Sequence, residues 1–284
     1  MKPLLIIALT FLVFASGYCP QDQPQALTIA RDMIKVISEI STLKMNMESV
    51  ERIDDQYVTV RFKIKRRHNP LEIYYYRTFP DAGVEVLLNR NSKGKLWVNP
   101  GGFPWTTLEL DIHSPLVRDK QHHSIYEAGF EYFTVILSGL LKKYATELNT
   151  AISYIAKEKI GNKNCHKIKF DNKNYKLYDY KTIQIETPLT LAAKLKISEY
   201  KILELNTSIK SFQTKIPAGT LLKLPNDYAK EMILWIEEKT SLPVKMEISD
   251  EKGLYEKYSF ADIIINPEFA TNEFEKTFKE YHFK

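Results

Sequence analysis

The chain has 284 residues, of which 44% are hydrophobic and 26% charged, with a formal net charge of +5. These values exclude an intrinsically disordered chain and suit one large domain or two smaller ones. Lysine and arginine are scattered apart from the run Lys63-Ile64-Lys65-Arg66-Arg67, which argues against a nucleic-acid protein.

In chain order, Met1-Lys2-Pro3 supplies an early positive charge, Leu4 to Phe14 an apolar run, and Ala15, Ser16 and Gly17 small residues, the pattern of a secretory signal peptide over residues 1–17. The run is well short of the ~20 apolar residues that cross a bilayer, and no later stretch is long enough to make a transmembrane helix. The mature chain is expected to be exported, in the periplasm or associated with the outer membrane. Cys19 follows Tyr18, a bulky residue where lipoprotein signals carry a small one. Lipidation of Cys19, a bridge to Cys165 and loss with the leader are left as three alternatives.

From Pro24 to Ile40, Leu27, Ala30, Ile34 and Ile37 fall three or four apart and predict an amphipathic helix. The period then changes to two: Val58, Val60, Phe62 and Ile64 alternate with Thr59, Arg61, Lys63 and Lys65, a strand with one buried face, entered through a turn at Asp54-Asp55-Gln56. Further strands are read at Leu71 to Arg77, Gly83 to Leu88, Lys95 to Asn99 and Trp105 to Leu110, an antiparallel meander with a turn at Asn91-Ser92-Lys93-Gly94. Ile125 to Leu148 returns to helical spacing through Phe130, Phe133, Leu137 and Leu140. Ala151 to Lys159 and Cys165 to Phe170 form a hairpin around Gly161-Asn162-Lys163, followed by a strand at Tyr175 to Tyr178. A helical unit follows, and strands resume at Met232 to Ile236, Val244 to Ile248 and Tyr255 to Ile264, the last two joined by Asp250-Glu251-Lys252-Gly253. The reading is a sheet domain in two pieces, 24–178 and 229–284, carrying an insertion at 179–228.

The insertion contains Thr187-Pro188-Leu189, then Leu191, Ala192 and Leu195 on one helical face, then Ile197-Ser198, Ile202, Leu205-Asn206, and finally Gly219 with Leu224-Pro225. Ser198 suits a helix N-cap, Pro188 a first helical turn, and Asn206 a left-handed helix exit. This order resembles a LysM module, a family of βααβ domains that bind N-acetylglucosamine polymers such as peptidoglycan. The resemblance implies a glycan groove between two loops, Glu186, Thr187, Pro188 and Leu189 in one, and Asn206, Thr207, Ser208 and Ile209, running on to Phe212, in the other. The chain departs from the family in lacking a glycine before the first helix and in placing Pro188 there, which removes a backbone donor.

The remaining chain is similar to the outer-membrane lipoprotein-carrier type of fold, on the strength of the opening helix and meander and of the strings Leu234-Trp235-Ile236-Glu237, Leu242-Pro243-Val244-Lys245-Met246 and Tyr258-Ser259-Phe260-Ala261-Asp262. Pro70-Leu71-Glu72-Ile73-Tyr74, Gly83-Val84-Glu85-Val86 and His123 to Gly129 also resemble an uncharacterised bacterial envelope family, domain of unknown function 1571. These resemblances imply an α+β fold, a curved antiparallel sheet (half-barrel) packed on helices. In such carriers the concave face holds acyl chains, which makes Val58, Val60, Phe62 and Ile64 candidate cavity residues, although a plain sheet core needs the same residues.

Chemistry-bearing motifs are sparse. His122-His123 with Glu127, Asp111 and His113 complete no zinc motif, and their simplest use is capping or surface contact. Cys165-His166 would face opposite sides of a strand, and no nucleophile elbow or phosphate-cradling loop is present. The expectation is a non-catalytic cell-envelope protein without cofactor or bound metal, docking on peptidoglycan through the LysM-like module. The alternative is a carrier for a lipid or lipoprotein acyl chain in the half-barrel. A hydrolase using His122, His123 and Glu127 is the least favoured class.

Overall fold

The computed structural model describes residues 22–118 and 121–284, so the expected signal peptide and Cys19 lie outside the described residues. Helix α1 (Asp22–Ser38) buries Ala26, Ala30, Met33 and Ile37. The spacing is the expected one but the stripe is turned: Leu27 and Ile34, read as the buried face, pack only partly against the core.

α1 lies against an eleven-stranded antiparallel sheet. Its strands are β1 (Thr42–Ile53), β2 (Gln56–Arg67), β3 (Glu72–Phe79), β4 (Glu85–Leu88), β5 (Lys95–Asn99), β6 (Leu108–Asp111), β7 (Ile152–Ile160), β8 (Lys163–Asp171), β11 (Glu231–Glu237), β12 (Pro243–Asp250) and β13 (Gly253–Ile265), numbered with the two strands of a smaller sheet described below. The order is β6-β5-β4-β3-β2-β1-β13-β12-β11-β8-β7, with β6 and β7 as the two edges. The sheet is curved and unclosed, an α+β half-barrel. Between β6 and β7 the chain crosses the concave side through α2 (Pro115–Arg118), a 3-10 turn (Ile125–Glu127), α3 (Glu131–Lys143) and α4 (Leu148–Ala151). The period-two pattern sorts the faces. Met45, Met47, Phe62, Ile64, Met246, Tyr258 and Phe260 turn inward onto α1 and α3.

The opposite face of β2–β5 is covered by the C-terminal segment, whose Phe274, Phe278 and Tyr281 pack on Tyr74 and Leu87. Tyr281 stacks on Tyr74 at 3.7 Å, and His282 Nδ1 lies 2.6 Å from the buried Glu85 carboxylate.

β9 (Leu177–Lys181) and β10 (Leu221–Pro225) pair only with each other and enclose α5 (Pro188–Leu195) and α6 (Glu199–Leu205). Leu191, Ala192, Ile197, Ile202, Ile216, Leu222 and Leu224 give this βααβ unit its own apolar core. The caps act as their residue types predict: Thr187 accepts from Thr190 N, Pro188 opens α5, and Ser198 accepts from Lys201 N. Asn206 departs from expectation. Its φ is −130°, not left-handed, because its amide is occupied as a clamp, donating to Ile202 O and Lys223 O and accepting from Lys223 N.

Four other elements differ from the sequence reading. β1 escaped it because Ser49 and Glu51 occupy inward positions and break the apolar alternation. The helix read at 125–148 begins only at Glu131, after Gly129 at φ 137° interrupts it, and ends at Lys143. The strand read at Tyr175 starts at Leu177 and belongs to the small sheet, two residues before the boundary drawn at 179. Trp105 lies outside β6, with φ 61° and an exposed ring.

The loop after β5 crosses the one before β4 so closely that a Cβ on Gly101 would sit 2.8 Å from Gly83 C and 3.0 Å from Val84 N, at φ +70°. Gly94, at φ +80°, has nothing within 4 Å of the same position. Gly94→Ala should therefore register left-handed strain alone, about 1 kcal/mol, whereas Gly101→Ala adds a backbone clash and should lose about 2–3 kcal/mol. Paired thermal melts check this, and equal losses would show that the crossing has room to relax.

Candidate ligand-binding cavity

The concave face is not filled to its end. A cavity of about 110 Å³ remains between the inward side chains of β1–β5 and β13 and the crossing segment. The sheet contributes Met47, Val60, Phe62, Tyr75, Val86 and Val98, which are brought side by side by register: Met47 faces Phe62, Tyr75 faces Val86, and Val86 faces Val98. The roof is Leu116 and Val117 of α2, Ile125 and Ala128 around the 3-10 turn, and Phe133 of α3. Leu116 is 78% exposed and stands at the mouth.

One end of the cavity is polar and closely hydrogen-bonded. Glu51 of β1 lines it, accepting from Tyr258 Oη at 2.9 Å and from His122 N at 2.7 Å. Behind it lies Glu256 of β13, fully buried, which accepts from Tyr228 Oη at 2.9 Å and lies 2.8 Å from His122 Nδ1. His122 Nε2 faces Arg52 O at 2.8 Å, so both ring nitrogens meet oxygen acceptors. His123, also at the cavity wall, sits between Glu127 Oε2 and Glu256 Oε2, each at 3.3 Å. Burial alone would lower the His123 imidazolium, but Glu256 and Glu127 outweigh it and hold the ring well above the usual histidine range. Burial likewise disfavours the Glu256 carboxylate, yet His123 and the hydrogen bonds from both histidines hold it far below the usual carboxylate range. Glu127 is lowered in the same way by His123 and by Ser124 N, which donates to it at 2.7 Å.

The small βααβ unit closes this polar end. Tyr200 of α6 stacks on His122 at 4.5 Å, Ser198 Oγ meets Tyr255 Oη at 2.9 Å, and Arg118 makes two 2.9 Å hydrogen bonds to Glu199. Lys201 Nζ reaches Asp250 and Glu251, each at 2.7 Å.

Of the four cavity residues read from sequence, Val60 and Phe62 line the cavity; Ile64 is solid core beside it, and Val58 lies further along β2. The missed lining residues on the sheet follow the same alternation and were legible in principle. The roof was not, because 115–128 carries no periodic signal. The sequence pairing of His123 with Glu127 is present, but Asp111 and His113 stand apart: Asp111 accepts from His113 N and from Gln213, and His113 Nδ1 lies 3.2 Å from Arg118. Among the described residues no group of three or more His, Cys, Asp or Glu is arranged to hold a metal ion. Cys165 is buried with Trp235 and Val244 on the face opposite the cavity.

The two loops read as a glycan groove do meet, through Leu189 N to Phe212 O at 3.4 Å, while Glu186 N bonds Ile216 O beyond the second loop at 3.0 Å. Their side chains are largely committed to structure. Glu186 is buried against Lys194 and Tyr180, Thr187 and Pro188 cap α5, Asn206 is the clamp, and Ile209 is core, leaving Thr207 and Ser208 exposed. The far end of the second loop docks on the sheet domain: Phe212 lies under the Arg118 guanidinium at 3.9 Å, and Gln213 donates to Asp111 at 3.1 Å.

A family model described as a protein of unknown function (DUF1571) matches residues 40–201, from the start of β1 through α5 into α6. No curated protein matches the chain. Similar solved structures include the lipoprotein LppX from Mycobacterium tuberculosis, with 14% identity, a TM-score of 0.41 and coverage of 87% of this chain and 98% of that one. LprF from Mycobacterium bovis has 11% identity, a TM-score of 0.43 and coverage of 89% and 98%. A putative outer membrane lipoprotein-sorting protein domain from Vibrio parahaemolyticus has 11% identity, a TM-score of 0.34 and coverage of 90% and 98%. None of these matches assigns the βααβ unit to the LysM family, and docking on peptidoglycan gains no support from them.

Proposed function

Because the chain belongs to the DUF1571 family, whose function is unknown, we propose from its own geometry that it is a non-catalytic envelope protein that binds the apolar chain of a lipid or lipoprotein in the concave cavity. The observation that carries this reading is the apolar gap itself, walled by Val60, Phe62, Val86 and Val98 and roofed by Leu116, Val117 and Ile125. The unit at 179–228 acts as a cap on the polar end. No helix among the described residues is long and apolar enough to cross a membrane.

Size limits what the cavity takes as it stands. At about 110 Å³ it is smaller than the ~150 Å³ engineered cavity that admits benzene, so a longer chain enters by displacing Leu116 and Val117, which ride on a helix of a single turn. Each methylene buried contributes about 0.8 kcal/mol, close to fourfold in affinity.

The test is displacement of the neutral fluorophore N-phenyl-1-naphthylamine by alcohols of six to ten carbons. Affinity should climb roughly fourfold per methylene. Val86→Trp, which fills the gap from β4, should weaken binding at least about tenfold while leaving the melting temperature unchanged or higher. A wild type that binds no alcohol, or a Val86→Trp variant that binds as well as wild type, would overturn the reading.

A further inference from the structure

Among the described residues, one arginine that lines the cavity has no carboxylate partner. Arg77 of β3 turns inward opposite Phe62, is half-buried, and lines the cavity. Other arginines nearby are paired: Arg61, Arg66 and Arg67 of β2 with Glu48, Glu131 and Glu72, and Arg118 of α2 with Glu199, each with a carboxylate within 3.6 Å. Among the described residues Arg77 has no carboxylate at such a distance; its one side-chain partner is Tyr75 Oη, at 3.4 Å from Nε. A guanidinium left half-buried without a counter-ion is unfavourable unless something supplies the anion, and its fork of donors fits a carboxylate or phosphate.

The other end of the cavity already carries its own carboxylates. Glu51 and Glu127 line it with Glu256 behind, and their oxygens already accept from Tyr258, His122 N, Ser124 N and Tyr228. A ligand with one charged end is therefore oriented: apolar tail between Val60, Phe62 and Val86, head at Arg77.

We propose that the ligand is a single-chain anionic amphiphile whose carboxylate or phosphate head is held by Arg77 at the cavity mouth. This rests on the cavity being the ligand site and adds the charge and orientation of what fills it. A charge-assisted hydrogen bond of this kind is expected to separate an anionic head from a hydroxyl by about tenfold or more.

The experiment compares decanoate, decyl phosphate and decan-1-ol as displacers of N-phenyl-1-naphthylamine from wild type and from Arg77→Met, at low and high salt. Wild type should favour an anion over the alcohol about tenfold, less so at high salt. Arg77→Met should bring the anions down to the alcohol while leaving the alcohol's affinity within about twofold, which also shows that the variant is folded. Preference for decyl phosphate over decanoate assigns the head to a phosphate, and the reverse to a carboxylate. Equal binding of anions and alcohol by wild type, or an anion preference that survives in Arg77→Met, overturns this assignment and leaves the cavity reading intact. Failure of all three to displace the probe overturns both.

Discussion

Glu256→Gln is expected to lower the unfolding free energy by about 3 kcal/mol or more, a fall in melting temperature of roughly 6–12 °C for a chain of this size. The substitution keeps the side-chain volume and removes only the charge. In the native protein that charge is the common acceptor of His122 Nδ1 and Tyr228 Oη and the partner of His123, all in surroundings closed to solvent. The amide would leave His123 with Glu127 alone and would turn an NH2 group toward hydrogen-bond donors. Glu48→Gln, which breaks the exposed pair with Arg61, is the control and should change stability by under about 1 kcal/mol. The pH dependence is more specific. The Glu256 carboxyl is depressed in the folded state, so its contribution is complete above the unfolded carboxylate range, about pH 4.5, and is lost as pH falls through the folded value. The His123 ring is raised, so its contribution is complete below about pH 6.5 and is lost as pH climbs toward the folded value. The stability gap between wild type and Glu256→Gln should thus be widest between about pH 5 and 6.5 and narrow on both sides. Denaturant melts across pH 3–9 measure it, and a gap that stays flat would mean that these groups are not ionised partners.

What could be read in advance depended on whether neighbours in sequence were also neighbours in space. Val58 to Ile64 announced a strand because every inward position is apolar; Thr42 to Ile53 did not, because Ser49 and Glu51 point inward, Glu51 to accept from His122 and Tyr258, which arrive later in the chain. The caps of the βααβ unit were legible since Thr187 with Thr190, and Ser198 with Lys201, act within one turn. How that unit sits was not. Asp250 reads as a turn residue and Lys201 as a solvated helix lysine, yet both are almost fully buried and bonded to each other across 49 positions. His122 likewise meets Glu256 across 134 positions, so a pair that reads locally as a weak metal motif is one half of a long-range ion network. Arg77 stood in a strand of tyrosines with nothing to mark it. Its lack of a carboxylate partner among the described residues becomes visible only in three dimensions.

The second large effect belongs to Asp250, which decides whether the βααβ unit is an appendage or a part of the sheet domain. Its Oδ2 accepts from Lys201 Nζ of α6 at 2.7 Å and from Arg52 of β1, while its Oδ1 accepts from Lys252 N at 2.8 Å. Burial disfavours the ionised forms of both Lys201 and Asp250, but their mutual contact, with Glu204 and Glu251 beside Lys201 and Arg52 beside Asp250, keeps the lysine raised and the aspartate lowered. Asp250→Asn leaves two buried cations sharing Glu204, at 2.8 Å from Lys201 and 3.5 Å from Arg52, with only the more exposed Glu251 added for Lys201, and should destabilise the protein by about 3 kcal/mol. Adding Lys201→Met removes one stranded cation, so the double variant should regain part of the loss, a coupling of about 1–3 kcal/mol in a thermodynamic cycle. The loss should also be local first. Hydrogen exchange in α6 and proteolysis near residues 207–215 should accelerate before the sheet amides respond, since α6 is tied to the sheet through this cluster, Ser198 and Tyr200. With α6 loosened, Tyr200 leaves His122 and Glu199 leaves Arg118, so the polar end of the cavity opens to water. An Asp250→Asn protein that melts within a degree of wild type and protects α6 equally well would contradict this account and make the unit an independent module. A destabilised protein whose alcohol affinity falls along with its α6 protection would show the unit to be the wall that keeps the cavity dry.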